Sequence, residues 1–311
     1  MMRGIGVRLW ALAFCLIPAG CDLEEVLADS ARFREHFNYT YPLKSGGALT
    51  LENFNGAVEI LAWEKEEVRI TGVKYARTEQ DLRELRIEVA AAPDSVRIRT
   101  LRPAQRTRGM GARYVLRVPR EVELQRIATS NGSIRVEDVR GSSRLETSNG
   151  AITLRRIQGR TESRTSNGSI TADVLAGDAV LRTSNGGIRL DRLEGALDAA
   201  TSNGGISVRI AEPARGQPVR LETSNGAIEL TMDAWEDNEV RALTSNGPIT
   251  VRLPASVKAR LRAETSNASI HSDFELLTRS STKNLLQGDI GGRGPLIQLA
   301  TSNGAIRVLR M

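Results

Sequence analysis

Short segments in which apolar and polar residues alternate recur along most of the chain. Nine of them begin with an isoleucine: Ile134, Ile152, Ile170, Ile188, Ile206, Ile228, Ile249, Ile270 and Ile306. Two residues later the position is mostly apolar again, and the residues between and after are polar. A period of two over a short β-branched run is typical of a strand with one buried face. The pattern predicts a repetitive all-β protein.

A four-residue motif, Thr-Ser-Asn-Gly, stands just before each of these segments. Full copies begin at Thr129, Thr147, Thr165, Thr183, Thr201, Thr223, Thr244 and Thr301, and a variant at Thr265 carries Ala268 in place of Gly. The first five copies are 18 residues apart, and the later gaps are 22, 21, 21 and 36. A fixed period of this length indicates a stacked repeat architecture. The last gap predicts an extra coil with a degenerate motif at Thr282-Lys283-Asn284, and Asn53-Phe54-Asn55-Gly56 resembles a further copy.

A second turn and a second strand complete each repeat. Glycines recur at Gly141, Gly159, Gly177 and Gly195, and a leucine such as Leu145 or Leu181 precedes the next motif. In a parallel stack, identical residues lie about 4.8 Å apart, which gives Thr, Ser and Asn a reason to recur. We therefore expect an inward asparagine ladder at a corner where Gly adopts the left-handed conformation. The predicted ladder is Asn131, Gly132, Asn149, Gly150, Asn167, Gly168, Asn185, Gly186, Asn203, Gly204, Asn225, Gly226, Asn246, Gly247, Asn303 and Gly304.

Other repeat folds explain less of the pattern. An antiparallel meander with Asn-Gly hairpins accounts for Asn and Gly but not for Thr and Ser. A left-handed hexapeptide helix needs an aliphatic residue every six positions, and Arg140 and Glu146 stand there. Calcium-binding nonapeptide rolls need aspartate in their turns, where this chain has Ser and Asn. The predicted fold is a parallel β-solenoid (β-helix) with two short strands per roughly 18-residue coil and an irregular N-terminal cap.

The N-terminus has the plan of a secretory signal. Arg3 and Arg8 precede an apolar run at 9–17, and small residues precede Cys21. Pro18-Ala19-Gly20-Cys21 resembles a bacterial lipoprotein processing site, although Pro18 replaces the usual aliphatic residue, and ordinary signal cleavage is the alternative. We expect an exported protein held in the cell envelope, on the periplasmic face or the cell surface, by lipid on Cys21.

Four regions follow from these patterns. They are a lipoprotein-type signal peptide (1–20), a tether (21–45), an N-terminal β cap (46–128) and the repeat solenoid (129–311). The tether is expected to hold one helical turn near Phe33–Phe37. The cap is expected to contain strands at Ala48–Ile60, Val68–Val73, Val96–Thr100 and Arg113–Val118, a helix at Glu79–Leu85 and a mobile loop at Arg102–Ala112.

Charge and aromatic content exclude nucleic-acid binding. The formal charge of +6 is small beside 43 basic and 37 acidic residues, which are spread along the chain. Nucleic-acid surfaces combine a basic stripe with aromatic side chains that stack on bases, and only 4% of the residues in this chain are aromatic.

Candidates for catalysis are few. His36 and His271 are expected at the surface, and stacking places Asp173 about 5 Å from Asp191, a spacing found in retaining glycosidases. Because Arg155 and Arg209 flank this acidic pair, an ion ladder explains it as well. The sequence predicts no catalytic residue, metal site or cofactor.

From about Ser45 to the C-terminus, the chain resembles the putative-adhesin β-strand-repeat family of bacterial envelope proteins, a domain of unknown function. The resemblance rests on the Thr-Ser-Asn-Gly-x-Ile units, on Leu116-Arg117-Val118-Pro119 before the first unit, and on the closing segment from Gly291 to Gly304. It implies an adhesin-like scaffold and supplies no catalytic residues.

Three functions stay open on the sequence. The first is a non-catalytic envelope lipoprotein that binds a glycan or an envelope protein through its outward rows. The others are a polysaccharide-acting β-helix enzyme and a sensory or regulatory module of envelope stress.

Overall fold

The computed structural model describes residues 33–103 and 109–311, which form an all-β protein with one short helix. The N-terminal elements are β1 (Phe33–Pro42), β2 (Gly47–Glu52), β3 (Val58–Trp63), β4 (Glu67–Ala76), α1 (Glu79–Glu84), β5 (Arg86–Ala92), β6 (Ser95–Leu101) and β7 (Gly111–Pro119). The next are β8 (Val122–Thr129), β9 (Ile134–Glu137), β10 (Ser143–Thr147), β11 (Ile152–Arg155), β12 (Ile157–Gln158), β13 (Thr161–Arg164), β14 (Ile170–Ala176), β15 (Ala179–Arg182), β16 (Ile188–Gly195), β17 (Leu197–Ala200) and β18 (Ile206–Pro213). The last are β19 (Val219–Glu222), β20 (Ile228–Met232), β21 (Val240–Leu243), β22 (Ile249–Leu253), β23 (Ala259–Thr265), β24 (Ile270–Ser272), β25 (Leu276–Ser281), β26 (Leu285–Ile290), β27 (Leu296–Thr301) and β28 (Ile306–Arg310).

These strands form two sheets, and successive repeats add a strand to each. Sheet A runs in the order β1-β4-β7-β3-β9-β11-β14-β16-β18-β20-β22-β28-β24, with β12 beside β14. Sheet B runs in the order β25-β26-β23-β27-β21-β19-β17-β15-β13-β10-β8-β2-β6-β5. The expected all-β class with repeated strands in parallel sheets is confirmed. Each repeat forms one coil, and we call the series of coils the stack.

The register places like residues on like residues. Ile152 lies between Ile134 and Ile170 on parallel neighbours, and the same row continues to Ile306. These isoleucines are almost fully buried from Ile134 to Ile249. On sheet B, Leu145, Leu181 and Leu221 point toward them and are fully buried. The core is therefore one continuous apolar column between the sheets, which neighbouring coils complete for each other.

The coils at the C-terminal end do not stack in chain order. Strand β27 lies between β21 and β23, and β28 lies between β22 and β24. The coil that ends the chain is thus inserted beneath the coil that precedes it in sequence. The prediction of an extra coil with a degenerate motif at Thr282-Lys283-Asn284 is wrong. Those residues form the turn between β25 and β26, which pair antiparallel.

The N-terminal end shows a similar inversion. Strand β2 lies between β6 and β8, and β3 lies between β7 and β9, so the outermost full coil is built from residues of β6 and β7. Antiparallel strands border it, with β4 and β1 on sheet A and β5 on sheet B. The predicted single strand Ala48–Ile60 is corrected to β2 and β3, which belong to different sheets because the chain turns at residues 53–57.

Part of the predicted tether is also corrected. Residues Phe33–Pro42 form strand β1 rather than a tether with a helical turn. The aromatic residues at positions 37, 39 and 41 have a period of two, and the Phe37 ring packs 5.4 Å from that of Tyr114. The predicted loop Arg102–Ala112 lies partly outside the described residues, and Gly111 and Ala112 belong to β7. Within the described ranges, no helix has the length and hydrophobicity that a membrane span requires.

Two buried serines within the described ranges, Ser143 and Ser163, carry an unsatisfied hydroxyl. Ser163 is fully buried between Leu145 and Leu181 on the neighbouring strands, and its Oγ has no hydrogen-bond partner. Burial of an unpaired hydroxyl costs about 1–3 kcal/mol. Ser163→Ala should therefore raise the free energy of unfolding by about 1 kcal/mol in urea titrations. The exposed Ser148→Ala variant should leave it unchanged, and a destabilised Ser163→Ala protein would contradict this account.

Candidate binding site

The threonine of each motif points inward and bonds the coil below it. Each Thr Oγ1 donates to the main-chain oxygen of a glycine in the adjacent coil, at 2.8–3.2 Å: Thr129, Thr147, Thr165, Thr183, Thr201, Thr223, Thr244, Thr301 and Thr265. All nine side chains are buried. The hydroxyl satisfies a buried carbonyl, which explains why the position is Thr rather than Val.

The asparagines form a ladder, but they face solvent instead of the core. Each Nδ2 donates to the Oδ1 of the asparagine below it at 2.7–2.8 Å, through eight bonds that join Asn131, Asn149, Asn167, Asn185, Asn203, Asn225, Asn246, Asn303 and Asn267. All nine residues are exposed. The expectation of an inward ladder is therefore corrected, because the side chains bond one another and leave the main chain to its own partners. We call this row the asparagine ladder.

The motif glycines are required by close approach and not by a left-handed backbone. A Cβ on Gly186 would lie closer than 3.0 Å to the carbonyl oxygen of Gly168, and the other ladder glycines have the same contact with the coil below. None of them has a positive φ. Positive φ occurs at the second turn, where Gly141, Gly159 and Gly177 have φ of 138°, 119° and 127°. The left-handed corner is thus the one that carries the second-turn glycines.

The serines of the motif are the residues that the stack leaves free. Ser148, Ser166, Ser184, Ser202, Ser224, Ser245 and Ser302 are exposed. Their hydroxyls make no hydrogen bond within the described ranges. We call these residues the serine row. The sequence carried a signal for it, because the alternation Leu145-in, Glu146-out continues to Thr147-in and Ser148-out.

A shallow groove of about 520 Å³ borders the serine row over the first coils. Its walls combine motif residues with the outward row of sheet B: Glu52, Asn53, Arg126, Ala128, Thr129, Ser130, Glu146, Thr147, Ser148, Arg164, Thr165 and Ser166. Arg126 bridges Glu52 at 3.2 Å and Glu146 at 3.0 Å. The groove is therefore polar, of mixed charge and open along the stack.

The predicted acidic pair lies on the opposite sheet. Strands β14 and β16 pair Ala172 with Leu190, which makes Asp173 and Asp191 neighbours in adjacent coils. Asp191 forms an ion pair with Arg189 at 2.8 Å.

The arginines that flank this pair are engaged elsewhere. Arg155 lies 3.8 Å from Glu137, and Arg209 lies 2.8 Å from Asp233. In the turns just after β9 and β11, the Arg156 guanidinium holds Asp138 in a two-bond contact at 2.6 and 2.8 Å, which lowers the pKa of that carboxyl. These contacts are those of an ion ladder on a solvated face.

The remaining candidates form no cluster. His36 is exposed on β1, and His271 contacts Asp273 at 2.9 Å. In the part of the chain that the structure describes, no three His, Cys, Asp or Glu side chains come together as a metal site. Cys21 lies outside the described residues.

A family model described as Toastrack DUF4097 matches residues 48–309. A search of curated proteins finds no significant match.

Solved structures that match this chain cover most of its length at low sequence identity. A "putative adhesin" from Bacteroides fragilis is 12% identical, covers 89% of this chain and 97% of its own, and has a TM-score of 0.40. A "putative adhesin" from Parabacteroides merdae is 9% identical, covers 88% and 96%, and has a TM-score of 0.38. A "putative lipid binding protein" from Parabacteroides distasonis is 12% identical, covers 89% and 97%, and has a TM-score of 0.33. At these scores the likeness does not bear on ligands.

Proposed function

Because the chain belongs to the Toastrack DUF4097 family, a domain of unknown function, we propose its role from the stack itself. The family resemblance recognised in the sequence is thereby confirmed. We propose a non-catalytic, adhesin-like scaffold of the bacterial cell envelope, built from two-strand coils behind an N-terminal cap. Its ligand is an extended envelope glycan, bound along the serine row.

The observation that carries this proposal is the unused hydrogen-bonding capacity of the motif. The motif threonine donates its hydroxyl to the adjacent coil and the motif glycine packs against it, whereas the serine hydroxyls have no partner within the described ranges. Each ladder asparagine also keeps one N–H and one lone pair for solvent, because an amide offers two donors and two acceptor sites. The face therefore presents free donors and acceptors at every coil.

The spacing of these groups suits a linear polymer. Coils lie about 4.8 Å apart, so the nine motifs form a row about 40 Å long. A glycan has hydroxyl groups along its whole length, and the groove beside the first coils gives it a polar wall. Many weak bonds of about 0.5–1.5 kcal/mol each are expected to add up over such a line.

The envelope location is also part of the proposal. We propose that Cys21 carries the lipid and that the signal at 1–20 is removed. Its support is the order of charged, apolar and small residues before Cys21. The mass of the N-terminal peptide of the mature protein tests it, because a diacylated Cys21 is expected and a peptide that begins elsewhere would contradict it.

Binding is tested by removing hydroxyls from the centre of the serine row. The triple variant Ser166→Ala, Ser184→Ala, Ser202→Ala should bind cell-wall polysaccharides at least tenfold more weakly, since each lost bond contributes about 0.5–1.5 kcal/mol. Its unfolding should be unchanged because these side chains are exposed. Affinity can be measured by calorimetry on a polysaccharide selected from a panel.

A matched control lies on sheet A. The triple variant Thr153→Ala, Thr171→Ala, Ser207→Ala removes three outward hydroxyls from coils of the other sheet, the first two adjacent and the third two coils further along, and should keep full affinity. Equal losses in both variants, or no binding by the parent chain, would contradict the proposal. Release of shortened glycans would favour an enzyme instead.

A further inference from the structure

Aromatic residues are concentrated at the N-terminal end of the stack. All four tyrosines lie between positions 39 and 114, and beyond residue 114 the aromatic residues are Trp235 and Phe274. Strand β1 carries Phe33, Phe37, Tyr39 and Tyr41 at positions separated by multiples of two. A repeat core needs aliphatic residues alone, as the coils after Ile134 show, so this enrichment calls for a separate explanation.

The β1 aromatics point to the core side at the end of that core. Tyr39 pairs with Ile70 and Tyr41 with Val68, and both partners are buried residues of β4. Phe37 is buried beneath them, whereas Tyr39 is 38% exposed and Phe33 is 37% exposed. Strand β1 is the edge of sheet A, so no further strand covers these rings within the described ranges.

The facing edge of sheet B is apolar as well. Strand β5 forms that edge, and its Ile87 and Val89 pack against the core while half-buried. Together, Phe33, Tyr39, Tyr41, Ile87 and Val89 form a surface that we call the open end.

We propose that the open end docks on the phospholipid bilayer, with its aromatic side chains in the head-group layer. The inference rests on the proposed anchor at Cys21. Phe33 follows that residue by 12 positions, a span of at most about 40 Å. Phenolic and apolar rings favour the membrane–water boundary, where one side of the ring is wet and the other apolar. Docking would turn the serine row, which runs along the stack, away from the membrane surface.

The test places one fluorescent label at each end of the stack. Tyr39→Cys labels the open end, and Leu277→Cys, whose parent side chain is 75% exposed, labels the opposite end as a matched control. Each full chain is expressed in a bacterium that processes its signal peptide. The purified protein is then labelled and reconstituted in vesicles of phosphatidylethanolamine and phosphatidylglycerol. Brominated lipids then probe contact with the bilayer, and iodide probes contact with water.

We expect brominated lipid to quench the Tyr39→Cys label at least twofold more than the Leu277→Cys label, and iodide to show the opposite order. Equal quenching by iodide at both positions would overturn the inference. Shielding of the Tyr39→Cys label from both quenchers would also overturn it, because residues 22–32 or a second copy would then cover the open end.

Failure of the anchor is distinguishable from failure of docking. The mass of the N-terminal peptide reports acylation separately. If Cys21 is not acylated, the full chain is floated with the same vesicles: severalfold weaker binding of Tyr39→Ser, but not of Leu277→Ser, supports docking. Binding that does not depend on Tyr39 overturns it.

Discussion

Gly186→Ala should destabilise the protein by at least about 3 kcal/mol and locally separate two coils. A Cβ at this position would lie closer than 3.0 Å to the carbonyl oxygen of Gly168, which is main chain and cannot rotate away. Relief requires a shift of the whole coil, and that shift would strain the Thr201 hydroxyl bond to Gly186 and the bonds of the asparagine ladder. The midpoint of urea unfolding measures the loss.

The neighbouring residue provides the control. A Cβ on Gly187 has its nearest contact at 3.3 Å from the Gly205 oxygen, and other repeats carry alanine at the equivalent position, such as Ala151 and Ala227. Gly187→Ala should therefore be neutral, or stabilising by up to about 1 kcal/mol through the unfolded state. Similar midpoints for the two variants would show that the coils are not in the close contact described above.

Deletion of residues 295–311 should unfold more than the coil that is removed. The deletion takes away β27 and β28, whose Ile297, Leu299, Ile306 and Val308 are fully buried. At about 1.5–3 kcal/mol for each buried side chain, the loss is about 6–12 kcal/mol as an upper estimate. Because β27 and β28 lie beneath β23 and β24, residues 259–272 would lose their parallel partners as well.

The exposed coil, formed by β23 and β24, would also lose the Thr265 hydroxyl bond to Gly304 and the Asn267 amide bond to Asn303. Hydrogen exchange should therefore show lost protection throughout β23 and β26, while β21 and β22 stay protected. Deletion of the exposed Met311 alone serves as control. Retained protection at β23 would mean that the coils stack in chain order.

Much of the stack could be predicted from the sequence because stacking repeats its constraints in every coil. The isoleucine row, the parallel pairing and the use of a corner motif follow from the period of two and the 18-residue spacing. The roles inside the motif were harder to predict. An Asn-Gly pair suggests a left-handed turn, whereas these glycines serve close approach and the left-handed positions fall at the second-turn glycines such as Gly141.

The order of the coils could not be read from spacing alone, because a gap of 36 residues between two motifs can hold either an extra coil or a hairpin. One residue did carry the information. Ala268 marks the only variant motif among the nine, and an alanine fits only where the coil has freedom to shift outward. Gly304 lies against the Gly247 carbonyl oxygen, and its own carbonyl accepts the Thr265 hydroxyl, so its coil has a neighbour on each side.

The candidate site was likewise only half predictable. The outward rows were expected to hold the function, and the acidic pair at Asp173 and Asp191 was the one constellation they offered. The proposed site is instead the serine row, whose free hydroxyls could not be recognised from the sequence because hydrogen-bond satisfaction is a property of three-dimensional contacts. Strand β1 and its aromatic side chains were not predicted, because Phe33–Pro42 lacks the repeat motif. The alternation of its aromatic residues nevertheless indicates a strand.

Disulfide formation between ladder positions tests the stack most directly. Adjacent coils place their Cα atoms about 4.8 Å apart, within disulfide range, whereas coils one layer further apart lie about 9.6 Å away and outside it. In a chain whose Cys15 and Cys21 are replaced by serine, Asn246→Cys should oxidise with Asn303→Cys, and Asn303→Cys with Asn267→Cys. Asn246→Cys with Asn267→Cys should stay reduced. A rapid 246–267 disulfide without a 246–303 disulfide would contradict the inserted coil and the motif register on which the proposed binding face depends.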